Sequence, residues 1–161
     1  MRAVLTLTGA MGAALFLLSI FFDPRPVDTQ GNPERPDESV TRGIPPDILS
    51  VLRRSCFDCH SNETQWPWYS RFLPISLLLA HDVRSGREVL NFSRPGRDSR
   101  GSTDDPSDLM VACEVVRAGM MPPWRYRILH PRAKIDGFEQ SRLCSWAENQ
   151  SRNSRHSDNH R

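Results

Sequence analysis

The stretch Cys56-Phe57-Asp58-Cys59-His60, continuing into Ser61-Asn62, decides how the rest of the chain is read. Two thiols three residues apart on one helical turn can each add to a vinyl group along the same porphyrin edge, while the adjacent imidazole swings under the iron. This C-x-x-C-H pattern is the attachment signature of c-type haem. A thioredoxin-like redox pair and half of a zinc site are the competing readings. Neither fits, because the chain holds no second C-x-x-C and no strand-rich βαβ pattern precedes the motif. The motif therefore predicts one covalent haem c, with Cys56 and Cys59 as its thioether links and His60 as the proximal axial ligand.

Working outward, Pro45 and Pro46 lead into a short helix ending at Ser55, with Ile48, Leu49 and Leu52 on one side, and this helix delivers the cysteines. A second helical pattern runs from Ile75 to Val89, with Leu78, Leu79, Asp82 and Val83 on its face and a break at Gly86. A third covers Ser107 to Val116. The last runs from Asp136 or Gly137 to Glu148, with Phe138, Leu143 and Trp146 pointing inward. The expected fold is small and all-α.

With His60 below the iron, one axial position is left to settle. Gly119-Met120-Met121-Pro122-Pro123 offers a thioether on a loop stiffened by two prolines, and Met121, directly before proline, is the favoured ligand. Met120, His81 and His130 are lesser candidates, ahead of an open or water-bound iron. The cluster Trp66-Pro67-Trp68-Tyr69 would wall the haem, with Trp66, Trp68 and Tyr69 reaching its propionates through N–H or O–H groups; ordinary core packing is the alternative. Arg84, Arg87 and Arg125 are candidate propionate partners that otherwise face water. Cys113 and Cys144 remain after haem attachment. Their pairing predicts a disulfide between the third and last helices, worth about 3 kcal/mol through loop closure.

The chain has 161 residues, a mean hydropathy of −0.51 and a net charge of +2, which suggests one modest domain and no nucleic-acid partner. Fifteen of the twenty residues from Ala3 to Phe22 are apolar, so the remainder is thin for a packed core. Thirteen prolines and nine glycines limit regular structure further. A bulky apolar cofactor would make up the shortfall. Residues 1–22 read as an N-terminal membrane anchor: the uncharged run would rise roughly 30 Å as a helix, and Ser19-Ile20-Phe21-Phe22-Asp23-Pro24 lacks the small residues of a cleavage site. Residues 23–43, rich in proline and polar side chains, read as a flexible linker, 44–149 as the haem domain, and 150–161, with His156 and His160, as a disordered tail. Arg2 ahead of the run places the N-terminus in the cytoplasm and the haem domain outside it. The expectation is a single-pass protein of a bacterial inner membrane with its haem domain on the periplasmic side.

Longer blocks sharpen the haem reading: Cys56-x-x-Cys59-His60-Ser61-Asn62-x-Thr64-x-Trp66-Pro67-Trp68-Tyr69, then Pro74-x-Ser76, Gly86-Arg87-x-x-Leu90-Asn91-Phe92-Ser93, Val116-x-x-Gly119-x-Met121-Pro122-Pro123-x-x-Tyr126-x-x-Leu129-His130-Pro131 and Leu143-x-x-Trp146. The chain resembles the bacterial haem-binding domain family, small exported proteins similar to cytochrome c. The resemblance implies one c-type haem, a mostly helical fold similar to class I cytochrome c, and a methionine sixth ligand falling on Met121. The sequence departs from the family pattern at Leu77, where a tryptophan is expected, and at Arg94-Pro95-Gly96, which replaces an aromatic segment. Asp82 stands where some relatives carry a histidine.

No pair of carboxylates and no nucleophile with an adjacent base can be argued from this sequence. The expectation is an electron carrier rather than an enzyme, exchanging electrons with a redox partner protein that the sequence does not identify. The alternatives are a ligand-binding, peroxide-reactive or sensory haem protein, or an accessory haem subunit of a respiratory complex.

Overall fold

The computed structural model describes residues 2–21, 43–93 and 106–158, and all regular structure among them is helical. In chain order the α-helices are α1 (Arg2–Phe21), α2 (Pro46–Ser55), α3 (Phe57–His60), α4 (Ile75–Val89), α5 (Pro106–Arg117), α6 (Trp124–Leu129) and α7 (Gly137–Asp158). Two 3₁₀ turns, Trp68–Arg71 and Pro131–Ala133, punctuate the connections. The linker expected over 23–43 lies outside the described residues except for Gly43.

The core forms where α2, α3, α5 and α7 meet. Ile48 and Leu52 from α2 pack with Phe57, Leu90, Phe92, Leu109, Leu143 and Ala147 in one cluster. Their spacing in α2 is that of one helical face, and each fully buried Ile, Leu or Phe side chain stabilises the fold by about 1.5–3 kcal/mol. Phe57 and Phe92 stack with centroids 5.2 Å apart, joining the helix of the cysteine motif to the segment after α4. A disulfide links Cys113 of α5 to Cys144 of α7, both fully buried, with Cα atoms 5.1 Å apart. It pins the two helices that wall the far side of the core.

Gly86 does not break α4, which runs unbroken from Ile75 to Val89. The glycine serves a close approach instead. A Cβ at position 86 would stand 2.5 Å from the Cys59 carbonyl oxygen, so only a bare Cα lets α4 lie directly against α3. The face that α4 buries is Ser76, Ala80 and Val83, while Leu78 is 45% exposed. Small residues, not leucines, mark where this helix packs tightly.

Three expectations are corrected here. The polar segment expected to be a disordered tail continues α7 to Asp158, because polarity excludes a core position but not a solvated helix, and Arg152 bonds Asn149 within it. Phe138, expected inside α7, is 74% exposed, for the helix starts at the surface before turning its Leu143 side inward. The third correction concerns the N-terminus. Among the described residues no helix is long and apolar enough to cross a membrane, which overturns the inner-membrane, single-pass placement with a periplasmic haem domain. In α1, the Thr8 and Ser19 hydroxyls donate to the backbone carbonyls of Val4 and Phe16, and Phe16 lays its ring on Phe72 of the domain at 6.2 Å.

The tight seam predicts that Gly86→Ala lowers stability by about 1–3 kcal/mol, since the neighbour is backbone and cannot move aside alone. Thermal unfolding of the variant beside the parent checks this. An unchanged midpoint would mean that α4 does not press on Cys59.

Candidate functional site

The cysteine motif folds as it does because the chain turns sharply at Cys56, where α2 ends and α3 begins. The N–H of Cys59 and of His60 both bond the Cys56 carbonyl, at 3.1 and 2.9 Å, closing one turn that brings both thiols and the imidazole to the same side. Cys56, Cys59 and His60 line a cavity of about 320 Å³ together with Leu52, Val89, Phe92, Leu109, Val116 and other apolar side chains. The size falls in the range of small-molecule and cofactor sites.

A polar frame fixes the imidazole. His60 Nδ1 lies 3.0 Å from the Leu90 carbonyl, and since a carbonyl can only accept, Nδ1–H is the donor. Burial holds the ring's pKa below the ordinary histidine value, against the opposing effect of its hydrogen bond to Leu90. The ring is therefore neutral with its lone pair on Nε2, the form that ligates a metal. The backbone reinforces this, as Phe92 N–H donates to the His60 carbonyl at 2.7 Å. Asn91, fully buried, donates to Asn62 Oδ1 at 3.2 Å and accepts from the Ser93 amide at 2.9 Å, and Ser93 Oγ accepts from the Asn62 amide at 2.9 Å. Arg87 donates to the Ser61 carbonyl and to Thr64 Oγ1, and Thr64 in turn bonds the Asp58 carbonyl.

The thiols have the opposite of a redox-active environment. Burial, and after it the mutual repulsion with Cys59, pushes Cys56 up to about 12. Cys59 also rises to about 12, from burial first and then from Asp58 and Asp82. Reactive C-x-x-C pairs lower at least one thiol instead, so a thioredoxin-like role has no physical support here. Both cysteines are free and half-buried, facing the cavity.

Of the methionines, Met121 lines the cavity and Met120 does not; Met120 is 65% exposed. Gly119, at φ +70°, makes the left-handed turn after α5 that aims the next residues back toward the cavity. Neither His81 nor His130 lines it. His81 is exposed on α4, and His130 Nε2 is engaged by the Tyr69 hydroxyl at 2.6 Å. Trp66, Trp68 and Tyr69 stand apart from the cavity lining, contrary to the wall expected of them. Trp68 is 78% exposed, because the 3₁₀ turn there turns outward and Tyr69 is spent on His130.

The walls are instead Tyr126 and Trp146, which the residue pattern contained without revealing their place. Tyr126 stacks on His130 with centroids 4.2 Å apart, and its hydroxyl donates to Asp58 Oδ2 at 2.6 Å. Burial first, then that carboxylate, raises the phenol far above its usual range. Arg125, beside it, grips Asp82 with two nitrogens rather than reaching for a propionate.

The cavity fits a haem on its own chemistry. It offers two thiols on one turn, an imidazole lone pair and a thioether, all set in apolar walls. Trp146 Nε1 and Ser55 Oγ, on two residues that line the cavity, are buried without a hydrogen-bond partner among the described residues. Among the described residues no group of three or more His, Cys, Asp or Glu side chains gathers as a bare metal site. A model of the haem-binding domain matches residues 14–149. The chain belongs to the haem-binding domain family. The protein thus binds haem. No curated protein and no solved structure matches the chain.

The raised thiols give a direct expectation for the haem-free chain. At pH 8 the folded thiols stay protonated while unfolded ones begin to ionise, so iodoacetamide should label the folded chain at least about tenfold more slowly than the urea-unfolded one. Mass spectrometry of the labelled peptide checks this, and equal rates would show thiols open to solvent.

Proposed function

We propose that this haem-binding domain is a monohaem c-type cytochrome that carries single electrons to or from a partner protein. One observation supports the reading above all others: Cys56, Cys59, His60 and Met121 line one apolar cavity, with His60 turned by Leu90 so that Nε2 is the free nitrogen. Cys56 and Cys59 would hold the group covalently. His60 would be the proximal ligand and Met121 the distal one. When bound, haem supplies an iron that accepts and releases one electron.

The chain's own residues account for the rest. Leu90 and the Asn91–Asn62–Ser93 frame keep the imidazole from rotating, which lowers the reorganisation that accompanies a change of charge. Apolar walls exclude water and disfavour the more highly charged ferric state, as a thioether ligand also does. Both effects point to a raised potential. Were His60 and Met121 both to hold the group, no open position would be left for a substrate, so the carrier reading is preferred over a catalyst.

Haem should stay on the chain through denaturing electrophoresis, and the double variant Cys56→Ala/Cys59→Ala should lose it. Release from the parent protein would end the covalent reading. Met121→Ala should lower the reduction potential by on the order of 100 mV or more and open the ferrous iron to carbon monoxide. A parent protein that already binds carbon monoxide rapidly would favour a ligand-binding or sensory role instead.

A further inference from the structure

Helix α6 is six residues long and buries none of them. Trp124, Ile128 and Leu129 are each more than half exposed, so apolar burial does not hold this helix in place. Yet α6 directly continues the Gly119–Pro123 loop that presents Met121 to the cavity. The entry of the loop is tied to α5, for the amides of Met120 and Met121 donate to the Val115 carbonyl at 3.0 and 3.3 Å. What fastens its exit is a pair of polar latches from two consecutive residues.

Arg125 grips Asp82 of α4 in a fork, with Nη2 2.7 and 2.9 Å from the two carboxylate oxygens and Nε 3.2 Å from one of them. Tyr126 donates its hydroxyl to Asp58 of α3 at 2.6 Å. Both acceptors sit on the elements that carry or press upon Cys59 and His60. The latches therefore join the distal segment to the proximal one across the mouth of the cavity. An exposed ion pair alone contributes little, but a bidentate fork beside a charge-assisted hydrogen bond is stronger. The Tyr126 ring is also seated on His130, which Tyr69 holds in turn.

We infer that Asp82, Arg125, Tyr126 and Asp58 are positioning residues that hold Met121 at the iron. The inference rests on the proposal that Met121 is the sixth ligand. A thioether is a weak ligand, so the fraction of molecules in which it is bound depends on how often its loop is held near the metal. The latches set that fraction, and with it the choice between a closed iron and an open one.

The test uses the full-length, haem-loaded protein and four variants: Met121→Ala, Asp82→Asn, Tyr126→Phe and the charge swap Asp82→Arg/Arg125→Asp. Three quantities are read: the weak red-edge absorption of a ferric iron–thioether bond, the rate of carbon monoxide binding to the ferrous form, and hydrogen exchange of residues 119–129. Asp82→Asn and Tyr126→Phe should each weaken the absorption, speed carbon monoxide binding by about tenfold or more, and raise exchange in 119–129 while helix content stays unchanged. The charge swap should restore the absorption toward the parent level, which general damage to the fold would not do. Tyr126→Phe removes a single oxygen and keeps the stacked ring, so it tests the latch even if Asp82→Asn fails to fold. If Met121→Ala abolishes the absorption while both latch variants keep it and bind carbon monoxide at the parent rate, the positioning inference falls and the ligand assignment stands. If Met121→Ala changes neither signal, the ligand assignment falls and takes this inference with it.

Discussion

The hydrogen bond from His60 Nδ1–H to the Leu90 carbonyl, at 3.0 Å, is the constraint on which the rest of the site depends. It decides which imidazole nitrogen is free, and it does so from a residue thirty positions away. For that carbonyl to be in place, α4 must end at Val89 and its continuation must double back over the cysteine turn. Gly86 permits this by letting α4 touch the backbone at Cys59. The Asn91, Asn62 and Ser93 side chains then fill the hydrogen-bonding needs of a buried crossing that would otherwise strand backbone amides. Packing, chain direction and the chemistry of one nitrogen are a single problem solved together.

The two sides of the cavity are built on different principles. The proximal side is a dry, cross-bonded seam, in which Phe57 and Phe92 stack beneath a backbone bond between Phe92 and His60. The far wall is held by the Cys113–Cys144 bond between α5 and α7, both cysteines fully buried. The distal segment has neither. Beyond the backbone bonds of Met120 and Met121 to Val115, it meets the rest through carboxylates and a phenol at a partly wet edge, where bonds form and break more readily than in a core. Under the proposed ligation, a rigidly held His60 beside a more loosely held Met121 would let the binding of Met121 be tuned.

Much of this was legible in the residues themselves. The helix at 46–55 followed from its apolar spacing and leading prolines, and Met121 was separable from Met120 by its place before Pro122. Other features were not. Polar residues carry no periodic mark, so nothing about Tyr126, Asp58, Arg125 or Asp82 in the chain announces that they pair over 43 and 68 positions. The aromatic run at 66–69 misled for the same reason, since aromatic character says that a side chain is favourable to bury but not which surface it will cover. The apolar N-terminal run predicts a membrane span, but among the described residues no helix is long and apolar enough to cross one.

By itself the sequence determined what can be decided locally: that two thiols and an imidazole share one turn, that the domain is helical, and that too little apolar material follows the first helix for a comfortable core. Membership of the haem-binding domain family agrees with the family resemblance read from the residue blocks. The tertiary structure alone decided which nitrogen of His60 is free, why position 86 must lack a side chain, and that Tyr126 and Trp146 rather than Trp66, Trp68 and Tyr69 line the cavity. The division has a physical cause. A turn is specified by neighbours within a few residues, whereas a hydrogen-bond partner or a cavity wall exists only once distant segments have been brought within about 3–4 Å of one another.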